Sequence, residues 1–342
     1  MNRIGYRLMR AWVDLGPRFL PFADVATPDL PLSRLLRLSL FQVSVGMALV
    51  LLVGTLNRVM IVELGVPASL VGIMLALPLV FAPFRALIGH RSDTHRCELG
   101  WRRVPFIWNG TLLQFGGFAI MPFAVLVLAG KLQAADAPMW IGQVTAALAF
   151  LLVGAGVHTV QTAGLALATD LTPPESHPRV VGLMYVMLLF GMMASALLFG
   201  MALADFSPGR LIQVIQGAAV VTVLLNIVAM WKQETRRPRR GAAPPPADPT
   251  FRESWATFSE GEHAVRRLVV VGIGTMAFGM ADILLEPFGG QVLHMSVGTT
   301  TKLTALLAVG GLLGFGFASH VLGRGGDAYR MAQNGALIGL PA

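Results

Sequence analysis

Eight apolar runs, each about as long as a bilayer is thick, decide what this chain can fold into. They cover residues 38–57, 66–84, 104–130, 137–169, 180–204, 211–231, 268–285 and 303–322. About twenty apolar residues wound as a helix cross the hydrocarbon core, and there every backbone N–H and C=O has to find its partner within the protein. A helix meets that demand alone, so the expected fold class is an all-α polytopic membrane protein. A ninth apolar run, 331–342, starts but is too short to cross. Charged residues make up only 13% of the sequence, so each charged cluster marks a point where the chain leaves lipid.

The basic clusters alternate along the chain. Arginines are dense in the arm before the first run, in the stretch 89–103 (GHRSDTHRCELGWRR), in the segment 232–267 and around Arg324 and Arg330. The intervening turns are poor in them. The turn at Glu63 has no Lys or Arg, 130–137 has only Lys131, the turn at Asp205 has only Arg210, and 286–298 has none. The positive-inside rule then puts the N terminus in the cytoplasm. The net charge of +8 reports this orientation, and nucleic acid is not an expected partner. The single cysteine, Cys97, excludes an internal disulfide framework and a multi-cysteine zinc site.

Four regions follow. Residues 1–34 form an arm in which Arg3, Arg7, Arg10 and Asp14 line one helical stripe and Ile4, Leu8, Trp12 and Leu15 the other. That pattern suits a helix lying among lipid headgroups, or alternatively a docking arm. Pro17, Pro21, Pro28 and Pro31 follow it. Residues 35–231 hold six spans. Residues 232–267 form a polar linker with Arg236, Arg237, Arg239, Arg240 and the triplet Pro244, Pro245, Pro246. Within it Phe251, Trp255 and Phe258 share a helical face, as in a short helix on the membrane surface. Residues 268–342 begin a second set.

Gly89, His90, Arg91, Ser92 and Asp93 after the second span are echoed by Gly323, Arg324, Gly325, Gly326 and Asp327 after the eighth. A six-helix unit, a linker and a second unit that starts the same way describe the major facilitator arrangement. Its complete form has twelve helices. The expectation is a first six-helix half that is complete and a second half truncated after about two and a half helices. Gly89 permits close helix approach, while Asp93, Arg91, Arg102 and Arg103, with Arg96, are placed to bridge two helix ends as a structural latch.

Four stretches carry a more specific resemblance: GHRSDTHRCELGWRRVPFIW from Gly89, ATDLTPPESHPRVVGLMYVMLLFGMMASALLFG from Ala168, ADFSPGRLIQVIQGAAVV from Ala204, and LLEPFGGQVLHMSVGTTTKLTALL from Leu284. Together they resemble the bacteriochlorophyll delivery family of the major facilitator superfamily, which contains light-harvesting assembly factors of the LhaA and PucC types. The wording is nearer to the LhaA type. The resemblance implies a non-enzymatic factor of the intracytoplasmic membrane that helps insert bacteriochlorophyll, and with it carotenoid, into newly made antenna of the LH1 type. It implies as partners the light-harvesting α and β polypeptides, the reaction-centre core, bacteriochlorophyll synthase and membrane lipid.

His158 is the candidate for pigment contact, because it lies well inside the fourth span with Gly154, Gln161 and Thr162 on its face. A neutral imidazole can ligate the magnesium of a chlorin, and Gly154 would leave room for the flat ring. The competing reading is a hydrogen bond from His158 across a helix interface. His294 and His320 are weaker candidates near span ends. No direct metal site is expected otherwise.

Arg58 ends the first span beside Asn57 and Glu63, while Asp282 and Glu286 lie one turn apart on the seventh, where Pro287, Gly289 and Gly290 are expected to break the helix. Ionisable groups at this depth need partners. The expectation is an Arg58 pair with Asp282 or Glu286 between the halves, serving as a gate or as a strut. The methionines at 184, 187, 192, 193 and 201 offer either an adaptable surface or ordinary packing, and the glycines at 310, 311, 314 and 316 read as close helix contacts. No nucleophile triad, zinc cluster or dinucleotide fingerprint is evident, so no reaction is assigned. The rival function is a proton-coupled secondary transporter of a small solute, using Asp282 or Glu286.

Overall fold

The structure is a computed structural model that describes residues 32–95, 97, 99–130, 138–174, 177–234, 250–323 and 326–339. Among them every regular element is helical. Eight helices are long and apolar enough to cross a membrane. The arginine-rich arm 1–31, Arg96, the basic and proline-rich run 235–249, and residues 324–325 of the second glycine loop lie outside the described residues.

The first group contains α1 (Arg34–Glu63), α2 (Ala68–Thr94), α3 (Val104–Leu128), α4 (Met139–Asp170), α5 (His177–Ala202) and α6 (Pro208–Met230). Its fully buried side chains include Phe41, Leu51, Leu56, Phe118, Phe150 and Met184. Because lipid tails are as apolar as leucine, close backbone approach holds such helices together better than hydrophobicity does. Small residues supply it here. A Cβ added at Gly156 of α4 would lie 2.5 Å from the Gly110 carbonyl of α3, and one at Gly46 of α1 would lie 2.5 Å from the Leu188 carbonyl of α5. A buried polar chain also ties three helices. Ser44 of α1 donates to Asn226 of α6 at 2.9 Å, and Asn226 donates to Thr111 of α3 at 2.9 Å.

Two helices are locally irregular. In α1, residues Val50–Leu56 and Val59–Glu63 are wound as π-helix, a form that ordinarily appears as single turns and concentrates at functional sites. In α2 the chain bends at 81–83, because Pro83 has no N–H to continue the ladder. Phe81 donates back to Pro78 and Ala82 to Leu79 in tighter turns. Helix then resumes from Phe84 to Thr94. Gly89 to Asp93 are therefore the last turns of α2, where the sequence suggested a loop, and the turn that follows starts only at His95.

The second group starts with α7 (Phe251–Ser259), whose N-terminus is closed by a capping box between Thr250 and Glu253. Its Phe251, Trp255 and Phe258 are exposed together, as a surface helix requires. Helices α8 (Ala264–Gln291), α9 (Val297–Gly323) and α10 (Ala328–Gly339) follow. Helix α8 runs through Pro287, Gly289 and Gly290 without a break, contrary to expectation. The glycines serve contact instead: a Cβ at Gly290 would meet Val62 at 2.9 Å and Arg58 Nε at 3.1 Å. Helix α9 joins α5, where a Cβ at Gly298 would lie 2.6 Å from the Gly200 carbonyl. Most of α8 is exposed apolar surface, including Val270, Val271, Ile273, Met276 and Met280.

Candidate functional site

Polar side chains gather in three places within this apolar frame. The first is the face of α4 that meets α2. His158 Nε2 lies 3.1 Å from the Pro78 carbonyl, one of the acceptors at the bend that Pro83 creates. With Nε2–H donating, the other ring nitrogen, Nδ1, is buried and has no partner. Gly154 does not leave a gap. A Cβ there would fall 2.4 Å from Pro78 Cβ, so the proline ring already fills the space expected for a macrocycle. His158 as placed does not fit an axial ligand, since one nitrogen is engaged and the other sealed. The helix-to-helix hydrogen bond is the reading that the geometry supports.

Gln161 and Thr162, one turn further along α4, face a residue that the sequence reading passed over. Arg85 of α2 donates from Nη2 to Gln161 Oε1 at 3.0 Å and from Nε to Thr162 Oγ1 at 3.2 Å. Gln161 also reaches Gln42 of α1 at 3.4 Å. An arginine directly after the apolar run 66–84 was the available signal. It was missed because it sits four residues before the charged turn and reads as part of it.

The second group lies at the Glu63 end, between α1 and helices α8 and α9. Arg58, only 2% exposed, pairs with Glu63 at 2.5 Å and donates to the Met295 carbonyl at 2.8 Å. It does cross to the second group of helices, but neither Asp282 nor Glu286 is its ion-pair partner. Asp282 is exposed on α8. Glu286 is 1% exposed and accepts from Thr304 at 2.5 Å and Thr301 at 3.4 Å. The expected pair fails because Arg58 finds an acid five residues along its own helix. Glu286 fits only because α1 has glycine at 54, where a Cβ would lie 2.4 Å from its Oε1. Asn57 completes the contact by donating to the Ile283 carbonyl at 2.7 Å.

The third group is the latch at the far end. Arg103, 5% exposed, binds Asp93 of α2, Asp170 of α4 at 2.9 Å and Ser92 Oγ at 2.5 Å. Arg102 binds Asp170 at 2.5 Å. Gly89 faces Thr162 of α4 at van der Waals distance, and Arg91 is exposed beside the latch. Asp170 and Glu234 are members that sequence reasoning did not name. Glu234 accepts from the backbone N–H groups of Arg102, Arg103 and Val104 at 2.6 to 3.0 Å. It thereby caps the start of α3 from more than a hundred residues away, where unsatisfied N–H groups and the helix dipole favour an anion. Burial pushes its carboxyl above the ordinary carboxylate range, with the three N–H groups and Arg102 pulling the other way. Burial also opposes the charge on Arg102, but the hydrogen bond and charge of Asp170, with Asp93 and Glu234 nearby, outweigh it and raise that pKa.

No group of three or more His, Cys, Asp or Glu suited to a metal occurs among the described residues. His294 sits at the end of α8 with a left-handed backbone at φ 52°. His320 lies in α9.

Known proteins resemble the chain along its whole length. It is 66% identical over 345 residues to Protein PucC of Rhodovulum sulfidophilum, covering 100% of the chain and 76% of that relative. It is 60% identical over 341 residues to Protein PucC of Cereibacter sphaeroides, covering 100% of the chain and 73% of the relative. It is 31% identical over 278 residues to a bacteriochlorophyll synthase 44.5 kDa chain of Rhodobacter capsulatus, covering 80% of the chain but 60% of that protein. These names are of the PucC type, whereas the sequence wording leaned toward the LhaA type. The sequence profile of the PUCC protein family matches residues 55–342, and the chain belongs to that family.

Proposed function

We propose that the protein is an assembly factor for bacterial light-harvesting antenna of the LH1 type, which helps bacteriochlorophyll into the antenna polypeptides. The observation that carries this reading is identity of 60% and 66%, over the whole of this chain and about three quarters of theirs, to proteins named PucC. The weaker likeness to a protein named a bacteriochlorophyll synthase chain points toward the same pigment. In this reading the protein works in the intracytoplasmic membrane with its N terminus cytoplasmic, beside the α and β polypeptides, the reaction-centre core and bacteriochlorophyll synthase. Carotenoid is a second candidate cargo, and no reaction is proposed. His158 has no part as a magnesium ligand, and the exposed apolar length of α8 is the surface best suited to a pigment or an antenna helix. The test is to purify the protein gently from a phototrophic host and record its absorption and its bound polypeptides. Bacteriochlorophyll absorption with co-purifying antenna chains is expected; a colourless preparation without them would overturn the reading.

One observation favours the rival, a proton-coupled transporter of a small solute. Glu286 is buried between helix groups with hydroxyl partners and no cation within ion-pair distance among the described residues, an arrangement suited to taking up and releasing a proton. Solute-dependent proton flux in vesicles, abolished in Glu286→Gln, would establish it.

A further inference from the structure

Arg85 is a half-buried cation with no anion beside it among the described residues. It lies directly after the apolar run 66–84, nine residues before the end of α2, about 14 Å along the helix axis at 1.5 Å per residue. Among the described residues no carboxylate is within ion-pair distance of it. Its partners, Gln161 and Thr162, are neutral. They hold Nε and Nη2, so the fork is fixed in direction while Nη1 keeps its donors uncommitted. Tyr185 of α5 lies within electrostatic range of the guanidinium and is exposed, while Arg85 itself is half-buried.

Buried arginines elsewhere are held in different ways, and Arg34 donates to the side chain and carbonyl of Gln233. Arg58 and Arg103 have carboxylates. An arginine at membrane depth is costly unless it is paired or faces a polar site, and a guanidinium fixed in orientation, with donors left over, is suited to a planar oxyanion. Apolar surface lies next to it. Phe81 lies at the bend four residues before Arg85, and its ring meets that of Phe84 at 5.3 Å between centroids, with Phe84 exposed next to Pro83.

We propose that Arg85 anchors a binding site for an amphiphile bearing one oxyanion, a carboxylate or a phosphate. The anion sits on Arg85, and the hydrocarbon lies along Phe81 and Phe84. Gln161 and Thr162 are positioning residues that aim the guanidinium. The site is independent of the antenna reading, since it requires only a charged head and an apolar body, and it stands or falls without any pigment.

The test uses the full chain in a neutral maltoside detergent with oleate, methyl oleate and dioleoylphosphatidylglycerol as probes, read by native mass spectrometry. Oleate is expected to bind roughly tenfold better than its uncharged ester, as one charge-assisted interaction is worth. Arg85→Gln should remove that preference, and Arg85→Lys should keep part of it. Equal binding of acid and ester by the wild type, or an undiminished preference in Arg85→Gln, overturns the proposal. A second measurement needs no variant: an oleate analogue with a photoreactive diazirine in its tail should label peptides containing Phe81, Phe84 or Tyr185. Labelling confined to other helices overturns the site. Phosphatidylglycerol that displaces the label identifies a lipid headgroup as occupant, and failure to displace it identifies a free amphiphile; both outcomes uphold the oxyanion assignment.

Discussion

The two ends of the helix bundle bury charge in opposite ways. At the latch, Arg103 touches two carboxylates and a hydroxyl, and the Glu234 carboxylate meets three N–H groups at the start of α3. At the Glu63 end, Arg58 has one carboxylate from its own helix and reaches the second helix group only through a carbonyl, with Nε buried and unpartnered. Glu286 across from it takes its hydrogen bonds from hydroxyls, with Arg58 in electrostatic range but beyond ion-pair distance. Charge bound to opposite charge at low dielectric resists separation, because parting it would strand both groups. Neutral partners can be exchanged for water or for one another at smaller cost. The latch therefore acts as a fixed strut within the first six helices, and the Glu63 end is the joint between helix groups that parts more readily.

The largest effect expected from this contrast is at Arg103. Arg103→Ala leaves Asp93, Asp170 and Ser92 without their shared donor, and removal of one member of a buried ion pair costs about 3 kcal/mol after allowance for the partial exposure of the two aspartates. A drop of several degrees in the thermal unfolding midpoint in detergent is the measure. A change no larger than that of a surface arginine would remove the distinction between the ends.

Glu234 sharpens the comparison through pH. Its folded pKa is raised by burial, so above the ordinary carboxyl range the folded state binds more protons than the unfolded state. Stability from this group is then greatest at low pH and declines as pH rises through the folded pKa. Glu234→Gln should flatten that slope, while costing about 2 kcal/mol because an NH2 group replaces one of two acceptors facing three N–H donors. Unfolding midpoints of both proteins across mildly acid to neutral pH give the test. Stability that rises with pH in the wild type, and not in the variant, would reverse the sign of the argument.

How far this could be read in advance follows from the range of each interaction. The spans were legible because a bilayer demands about twenty apolar residues wherever a helix crosses, and the latch because its charges stand out in a charge-poor chain. Asp170 and Glu234 were not, since they close on Arg103 from 67 and 131 positions away and each looks like an ordinary helix-end acid. Pro287, Gly289 and Gly290 read as helix breakers by local preference, but packing against Val62 and Arg58 rewards small residues within a continuing helix. Gly154 misled in the same way. A glycine announces close approach, and the sequence does not say whether a ligand or a neighbouring proline is what approaches.

His158 gives a smaller effect and separates packing from pigment. His158→Ala removes one hydrogen bond to the Pro78 carbonyl at the α2 bend, worth about 1 kcal/mol. Thermal stability should fall by that modest amount, while any bacteriochlorophyll carried by protein from a phototrophic host should be retained in full. Selective loss of pigment absorption at unchanged stability would restore His158 as a ligand.

Glu286→Gln is expected to have the smallest effect on stability and tests the contrast most directly. The glutamine oxygen can take the place of the carboxylate oxygen that Thr304 contacts, and its NH2 can donate to the Thr301 hydroxyl, so the hydrogen bonds survive the loss of charge. No ion pair is broken, because Arg58 keeps Glu63 and the Met295 carbonyl. Replacing a buried charged or chargeable group by a hydrogen-bonded neutral one of the same shape leaves stability within about 1 kcal/mol of its starting value. The unfolding midpoints of Glu286→Gln and Arg103→Ala, measured side by side, should thus differ by several degrees. Equal losses would mean that Glu286 draws on the charge of Arg58 through space, and the Glu63 end would then be as firmly tied as the latch.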